Sequence, residues 1–139
     1  MKHIKKIIAT LLCLSMIMNI ALSTVVAEEA TPSEGLEFAL NEDGVSYSVT
    51  GIGTCTDADI VIPSTYEGLP VTSIGKSAFI LCSTITSITI PDSIIAIKEH
   101  AFAYSSLKTI YWGNGVAFVE DEAFNECRPT AVYITNISA

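Results

Sequence analysis

The run Ile88-Thr89-Ile90-Pro91-Asp92-Ser93-Ile94-Ile95-Ala96-Ile97-Lys98-Glu99-His100-Ala101-Phe102 is one copy of a phrase that the chain repeats. Its apolar-x-apolar opening returns as Ile110-Tyr111-Trp112 and Val132-Tyr133-Ile134, each 22 residues after the last. An earlier copy, Ile60-Val61-Ile62-Pro63, sits 28 residues upstream. The close of the phrase pairs Ile74 with Ala78-Phe79, Ile97 with Ala101-Phe102 and Val119 with Ala123-Phe124, the phenylalanines stepping by 23 and 22. Several landmarks keeping one short period are the signature of a stacked repeat. The longer first unit is accounted for by Tyr66-Glu67-Gly68-Leu69-Pro70, where Gly and Pro mark a surface turn.

The spacing sets the packing. A three-residue strand turns alternate side chains to one side. Ile88 and Ile90, Ile110 and Trp112, and Val132 and Ile134 are therefore expected to point inward, and the residues between them outward. One unit of about 22 residues cannot enclose its own apolar face, so neighbours must stack, and about three units are the minimum. The expected core is Ile74, Phe79, Ile88, Ile90, Ile97, Phe102, Leu107, Ile110, Val119 and Phe124. Ahead of the repeats, Leu36, Phe38 and Leu40 alternate with polar neighbours. Asn41-Glu42-Asp43-Gly44 supplies a turn, and Val45, Tyr47 and Val49 alternate again, which reads as a β-hairpin. The fold class expected is a repeat solenoid, mainly β with short helical or irregular turns and an N-terminal β-hairpin cap. The expected organisation is a signal peptide at residues 1–27, a flexible leader at 28–35, the hairpin cap at 36–57 and a solenoid of three to four short repeats at 58–139.

The signal-peptide reading rests on Lys2, Lys5 and Lys6, a long apolar run from Ile7, and small residues ending at Ala27. A run of about 20 apolar residues is also long enough to act as an uncleaved anchor, so a membrane contact would come only through this segment. Cys13 follows Leu11-Leu12, not a small residue, which argues against lipidation. Beyond residue 27 four cationic side chains, Lys76, Lys98, Lys108 and Arg128, face fifteen acidic ones, a net charge of −11. Such a domain repels phosphate backbones, and a nucleic-acid partner is not expected. Cys55, Cys82 and Cys127 are an odd number. Cys82 and Cys127 recur two units apart, about 10 Å at the spacing of stacked strands, beyond the reach of a disulfide. Cys55 and Cys82 are one coil apart at best, which leaves a bond between them open, but three free, buried thiols are the expected state.

The segment Ile88-Thr89-Ile90-Pro91-Asp92-Ser93-Ile94 with Ile97 and Ala101-Phe102, together with Ile74-Gly75-Lys76-Ser77-Ala78-Phe79-Ile80-Leu81-Cys82 and Leu107, resembles the BspA-like, Treponema-type, leucine-rich repeat. The resemblance runs over roughly residues 36 to 134. It implies a surface or secreted bacterial protein whose repeats serve adhesion or protein binding. The chain departs from the pattern at Lys98 and Glu120, where the first copy has Gly75, and the place of Cys82 is assigned to Tyr104 in the middle copy.

Groups for catalysis do not converge. There is no Gly-x-Ser-x-Gly elbow, and His100 falls where the other copies have Ser77 and Glu122, which reads as a solvent-facing turn residue. Glu120-Asp121-Glu122 occupies the same turn and reads as a solvated run rather than a cation site. Asn136-Ile137-Ser138 fits a glycosylation pattern by chance. No enzyme activity, metal or cofactor is expected. If the strands alternate as above, Val61, Thr89, Tyr111 and Tyr133 form an outward ladder, with Asp59, Ser87, Thr109 and Ala131 in a parallel column. That strip is the candidate ligand-binding face for a protein or glycan at the cell surface, since tyrosine offers a large rigid contact. The alternative is a truncated or structural repeat fragment of the cell envelope without a ligand of its own.

Overall fold

A computed structural model describes residues 30–134. The expected signal peptide and the Asn136 motif lie outside the described residues. Ten strands follow in order: β1 Glu37–Leu40, β2 Tyr47–Gly51, β3 Asp59–Val61, β4 Thr65–Tyr66, β5 Leu69–Ile74, β6 Ser87–Thr89, β7 Ala96–Ile97, β8 Thr109–Trp112, β9 Phe118–Val119 and β10 Ala131–Ile134. They form a mainly β solenoid of about four turns, with no helix among the described residues. Each full turn contributes to two parallel ladders. One runs β3, β6, β8, β10, and the other runs β2, β5, β7, β9, with β1 added antiparallel to β2. The sequence pattern shows only the first ladder, because β7 and β9 are two residues long and too short for alternation to be read.

Hairpin and solenoid share a sheet. Val49 of β2 stands in register with Ile74, then Ile97, then Val119, so the sheet crosses the boundary expected after residue 57. The hairpin turn is held by side chains. Asp43 accepts from the Val45 and Ser46 amides and from the Ser46 hydroxyl, and the last of these is the main cause holding its carboxyl below its ordinary range. Asn41 donates to Ser46 Oγ and Thr72 Oγ1, tying the turn to β5. A second hairpin joins β4 to β5 through Glu67 and Gly68, both with positive φ, the backbone of a tight two-residue loop. It folds Tyr66 flat on Phe38, ring centroids 4.1 Å apart, and edge-on to Tyr47.

Within the segment expected to be a flexible leader, Ser33 is held in place. Ser33 is buried; its amide donates to the Val61 carbonyl at 2.9 Å and its hydroxyl accepts from the Val61 amide at 3.0 Å. It closes the free edge of β3 as β1 closes that of β2, because an edge strand's backbone groups need partners when they are not in water.

The Ala-Phe phrase forms a chain of turns in place of a helix. In the middle coil Ala101, Ala103 and Ser105 donate back three residues, while Phe102 and Tyr104 donate across to Ala123 and Asn125 of the next coil. Positive φ at Ser77, His100 and Glu122, and again at Leu81, Tyr104 and Glu126, breaks the helical path at the same two places per coil. Phe79, Phe102 and Phe124 stack as a spine, centroids 5.3 and 5.1 Å apart. Eight of the ten expected core residues are buried. Phe124 is half-buried and Val119 is 48 % exposed, and Val132 and Ile134, expected inward, are 55 % and 60 % exposed. They keep the inward parity of their columns, but no described coil lies beyond them to cover them.

Candidate ligand-binding strand face

The four-stranded ladder carries the candidate strip. Val61, Thr89, Tyr111 and Tyr133 stand in register across β3, β6, β8 and β10, with Asp59, Ser87, Thr109 and Ala131 beside them. Burial of Ile60, Ile88 and Ile110 on the opposite side turns both columns outward. Tyr111 and Tyr133 are 38 % and 54 % exposed and stack at 5.4 Å between centroids, 19° from parallel. Val61 and Thr89 are half-buried, and Ser33 sits on the edge of β3 at Val61. The strip is thus uneven, widening toward Tyr133. Thr109 is half-buried in the second column, where Asp59 Oδ1 accepts from Ser87 Oγ at 2.6 Å and from Thr86 Oγ1 at 3.3 Å. These polar groups satisfy one another across rungs, leaving the tyrosine rings as the large contact surface.

The turn side of the coils holds the charges. Lys76 pairs with Glu99 at 2.7 Å and Lys98 with Glu120 at 2.8 Å, each linking one coil to the next. The Lys76 contact holds the Glu99 carboxyl below its ordinary range. Glu120 is held down by the Lys98 hydrogen bond first and then by the Glu99 amide. His100 is more than the expected solvent-facing turn residue: Nε2 lies 2.7 Å from Glu122 Oε2 and Nδ1 3.2 Å from Glu99 Oε1. The imidazole bridges the two coils, and both His100 and Glu122 have left-handed φ. Glu120 and Glu122 are used in these links, and among the described residues no group of three His, Cys, Asp or Glu side chains is arranged to hold a metal.

Cys55, Cys82 and Cys127 are free thiols. Partial burial pushes the Cys82 thiol up, which lowers its reactivity. The middle-coil equivalent of Cys82 is Ser105, not Tyr104. Turn bonds place Tyr104 with Leu81 and Glu126, whereas Ser105 is buried with its Oγ 3.4 Å from Cys127 Sγ. A polar hollow of about 720 Å³ lined by Glu34, Cys55 and Asp57 lies by the N-terminal segment.

Two ladders per coil, a turn-built phenylalanine spine and a repeat of about 22 residues define a leucine-rich-repeat solenoid. Residues 54–138 match the family described as BspA type leucine rich repeat region, in six copies, and the chain belongs to that family. Among solved structures it is similar to the T. pallidum leucine-rich repeat protein, with 25% identity and a TM-score of 0.69 over 76% of this chain and 50% of that one. A leucine-rich repeat protein from Bacteroides ovatus matches at 23% identity and a TM-score of 0.61, over 78% of this chain and 30% of that one. One from Bacteroides capillosus matches at 23% and 0.52, over 78% of this chain and 100% of that one. The chain thus spans half the length of the T. pallidum protein. A search of curated proteins finds no match.

Proposed function

We propose that the chain is a non-catalytic interaction module, exported through its N-terminal segment, which holds a protein or glycan partner at or outside the bacterial cell surface. The observation that carries the reading is the exposed, stacked Tyr111–Tyr133 pair on a rigid parallel sheet. Two aromatic faces held in register offer contact area at low entropic cost, because their rings lose little freedom on binding. Support also comes from the family, whose repeats stack into extended surfaces. The strand-face residues in this reading are Tyr111 and Tyr133, flanked by Thr89 and Thr109, with Val61 at the closed end. A pull-down against extracellular-matrix, mucin and neighbouring-cell proteins supplies the ligand. With it in hand, Tyr111→Ala combined with Tyr133→Ala abolishes binding while circular dichroism stays unchanged; undiminished affinity in the folded double variant moves the surface elsewhere. Export is checked separately by mass spectrometry, which should find an N-terminus near Glu28.

A further inference from the structure

The imidazole of His100 lies between carboxylates of two coils. Glu99 of its own coil places Oε1 3.2 Å from Nδ1, and Glu122 of the next coil places Oε2 2.7 Å from Nε2. A neutral imidazole carries one N–H and one bare lone pair, so only the imidazolium donates through both nitrogens. In the neutral ring, whichever nitrogen lacks the proton turns its lone pair toward a carboxylate oxygen. The two lysines of this turn are already engaged: Lys76, from the preceding coil, holds Glu99 Oε2 at 2.7 Å, and Lys98 holds Glu120 Oε1 at 2.8 Å. Glu120 Oε2 accepts from the Glu99 amide, and Asp121 lines the same hollow as Glu99 and Glu120. The carboxylates Glu99, Glu120, Asp121 and Glu122 thus outnumber the ammonium groups Lys76 and Lys98 around the ring. The Glu99 carboxyl is held below its ordinary range by the Lys76 hydrogen bond first, with the charge of His100 adding to it. It is therefore ionised throughout the range in which a histidine changes charge. One coil earlier, Ser77 fills the place of His100 with the same left-handed φ. The backbone bonds across the two joints are alike: Phe79 and Leu81 donate to Ala101 and Ala103 at the first, Phe102 and Tyr104 to Ala123 and Asn125 at the second.

We propose that His100 is a proton-operated clasp between two coils. Protonated, it bonds Glu99 and Glu122 together and ties the middle coil to the next; neutral, it gives up one of the two bonds and the joint loosens. Linkage fixes the direction. A proton that adds a bond only in the folded stack stabilises that stack at low pH, and the contribution fades as pH rises through the histidine range. The Lys76–Glu99 and Lys98–Glu120 pairs keep their charges across that window and do not share the change. Each coil of a solenoid is coupled to its nearest neighbours, so weakening one joint lets the coils beyond it open without unfolding those before it. This inference uses the turn side of the coils and stands independently of the tyrosine face.

A double-mutant cycle on the full chain tests the proposal, because it cancels every other group that titrates. Melting temperatures are measured for the parent, His100→Gln, Glu122→Gln and the double variant, at about pH 5.5 and again at about pH 8. At the lower pH the two positions should be coupled by about 1 to 4 °C, the scale of a partly exposed ion pair in a domain of this size. At the higher pH that coupling should fall by at least about half. The parent chain supplies a second readout that needs no variant. Hydrogen exchange at the Phe102 and Tyr104 amides, corrected for intrinsic rate, should speed up about threefold relative to the Phe79 and Leu81 amides over the same interval. A coupling equal at the two pH values, no coupling at the lower one, or a constant ratio between the two pairs of amides overturns the proposal.

Discussion

At its first coil the solenoid is closed twice, by β1 on one sheet and by Ser33 on the other; at the last described coil no described residue lies over β9 and β10. The residues at the two ends are nearly the same. Ile60 opens its column at 0 % exposure and Val132 ends it at 55 %, and Val49 opens the other at 0 % while Val119 ends it at 48 %. Position within the repeat sets which way a side chain points, whereas burial depends on whether a neighbour lies beyond it. Stability in such an array is correspondingly a sum of coils and the interfaces between them.

The contrast is broken most severely at the phenylalanine spine. Phe102 is buried with a ring on each side, so Phe102→Ala should cost about 3 to 5 kcal/mol, comparable to the whole stability of a small domain. Phe124→Ala should cost no more than about half of that, because that ring is half-buried and has a stacked neighbour on one side. Chemical denaturation of the two variants decides it, and equal losses would mean that the end coil is covered in solution. Ile110→Ala against Val132→Ala repeats the comparison within one column. About 2 to 5 kcal/mol is expected for the first and within about 0.5 kcal/mol for the second.

At the closed end, Ser33→Ala removes the acceptor for the buried-edge amide of Val61 and should cost about 1 to 3 kcal/mol. Hydrogen exchange at Val61 should accelerate with it. Unchanged protection there would show that the backbone bond from Ser33 to the Val61 carbonyl holds the edge alone.

The smallest effect separates the carboxylates at the two ends. Asp43 in the hairpin and Glu120 in the last turn are both held below their ordinary ranges, the first mainly by a neutral hydroxyl and the second mainly by the Lys98 ammonium. A carboxyl lowered in the folded state adds stability above its unfolded value, and that stability is lost as pH falls through the lowered folded value. The Glu99 amide, which donates to Glu120 Oε2 at 2.9 Å, should report the titration in NMR spectra, with a midpoint below that of a free glutamate. Added salt should raise the Glu120 midpoint and leave that of Asp43 nearly in place, since screening acts on charge pairs. Equal responses at both sites would remove Lys98 as the cause.

Much of this was legible in the chain. The period of 22 fixed which residues share a column, and the register of Val61, Thr89, Tyr111 and Tyr133 follows from counting alone. Counting failed where local signals were short or degenerate. Ala96-Ile97 and Phe118-Val119 carry no alternation, so the second ladder was hidden. Counting assigns Tyr104 to the Cys82 position, because adjacent residues in a turn cannot be ranked without the bonds that place them. Ser33 sits in a polar, proline-bearing stretch whose composition reads as a leader, and its order comes from an edge strand 28 residues away.

The sequence by itself determined the repeat, its length, the inward columns and the outward tyrosines, because side-chain direction in a strand is local geometry. Only the tertiary structure decided which members of those columns are buried and that His100 staples two coils. It also decided that Ser33 and β1 close the first coil. Those properties belong to pairs of coils, and a coil's neighbour is set by how the chain stacks rather than by the residues within that coil.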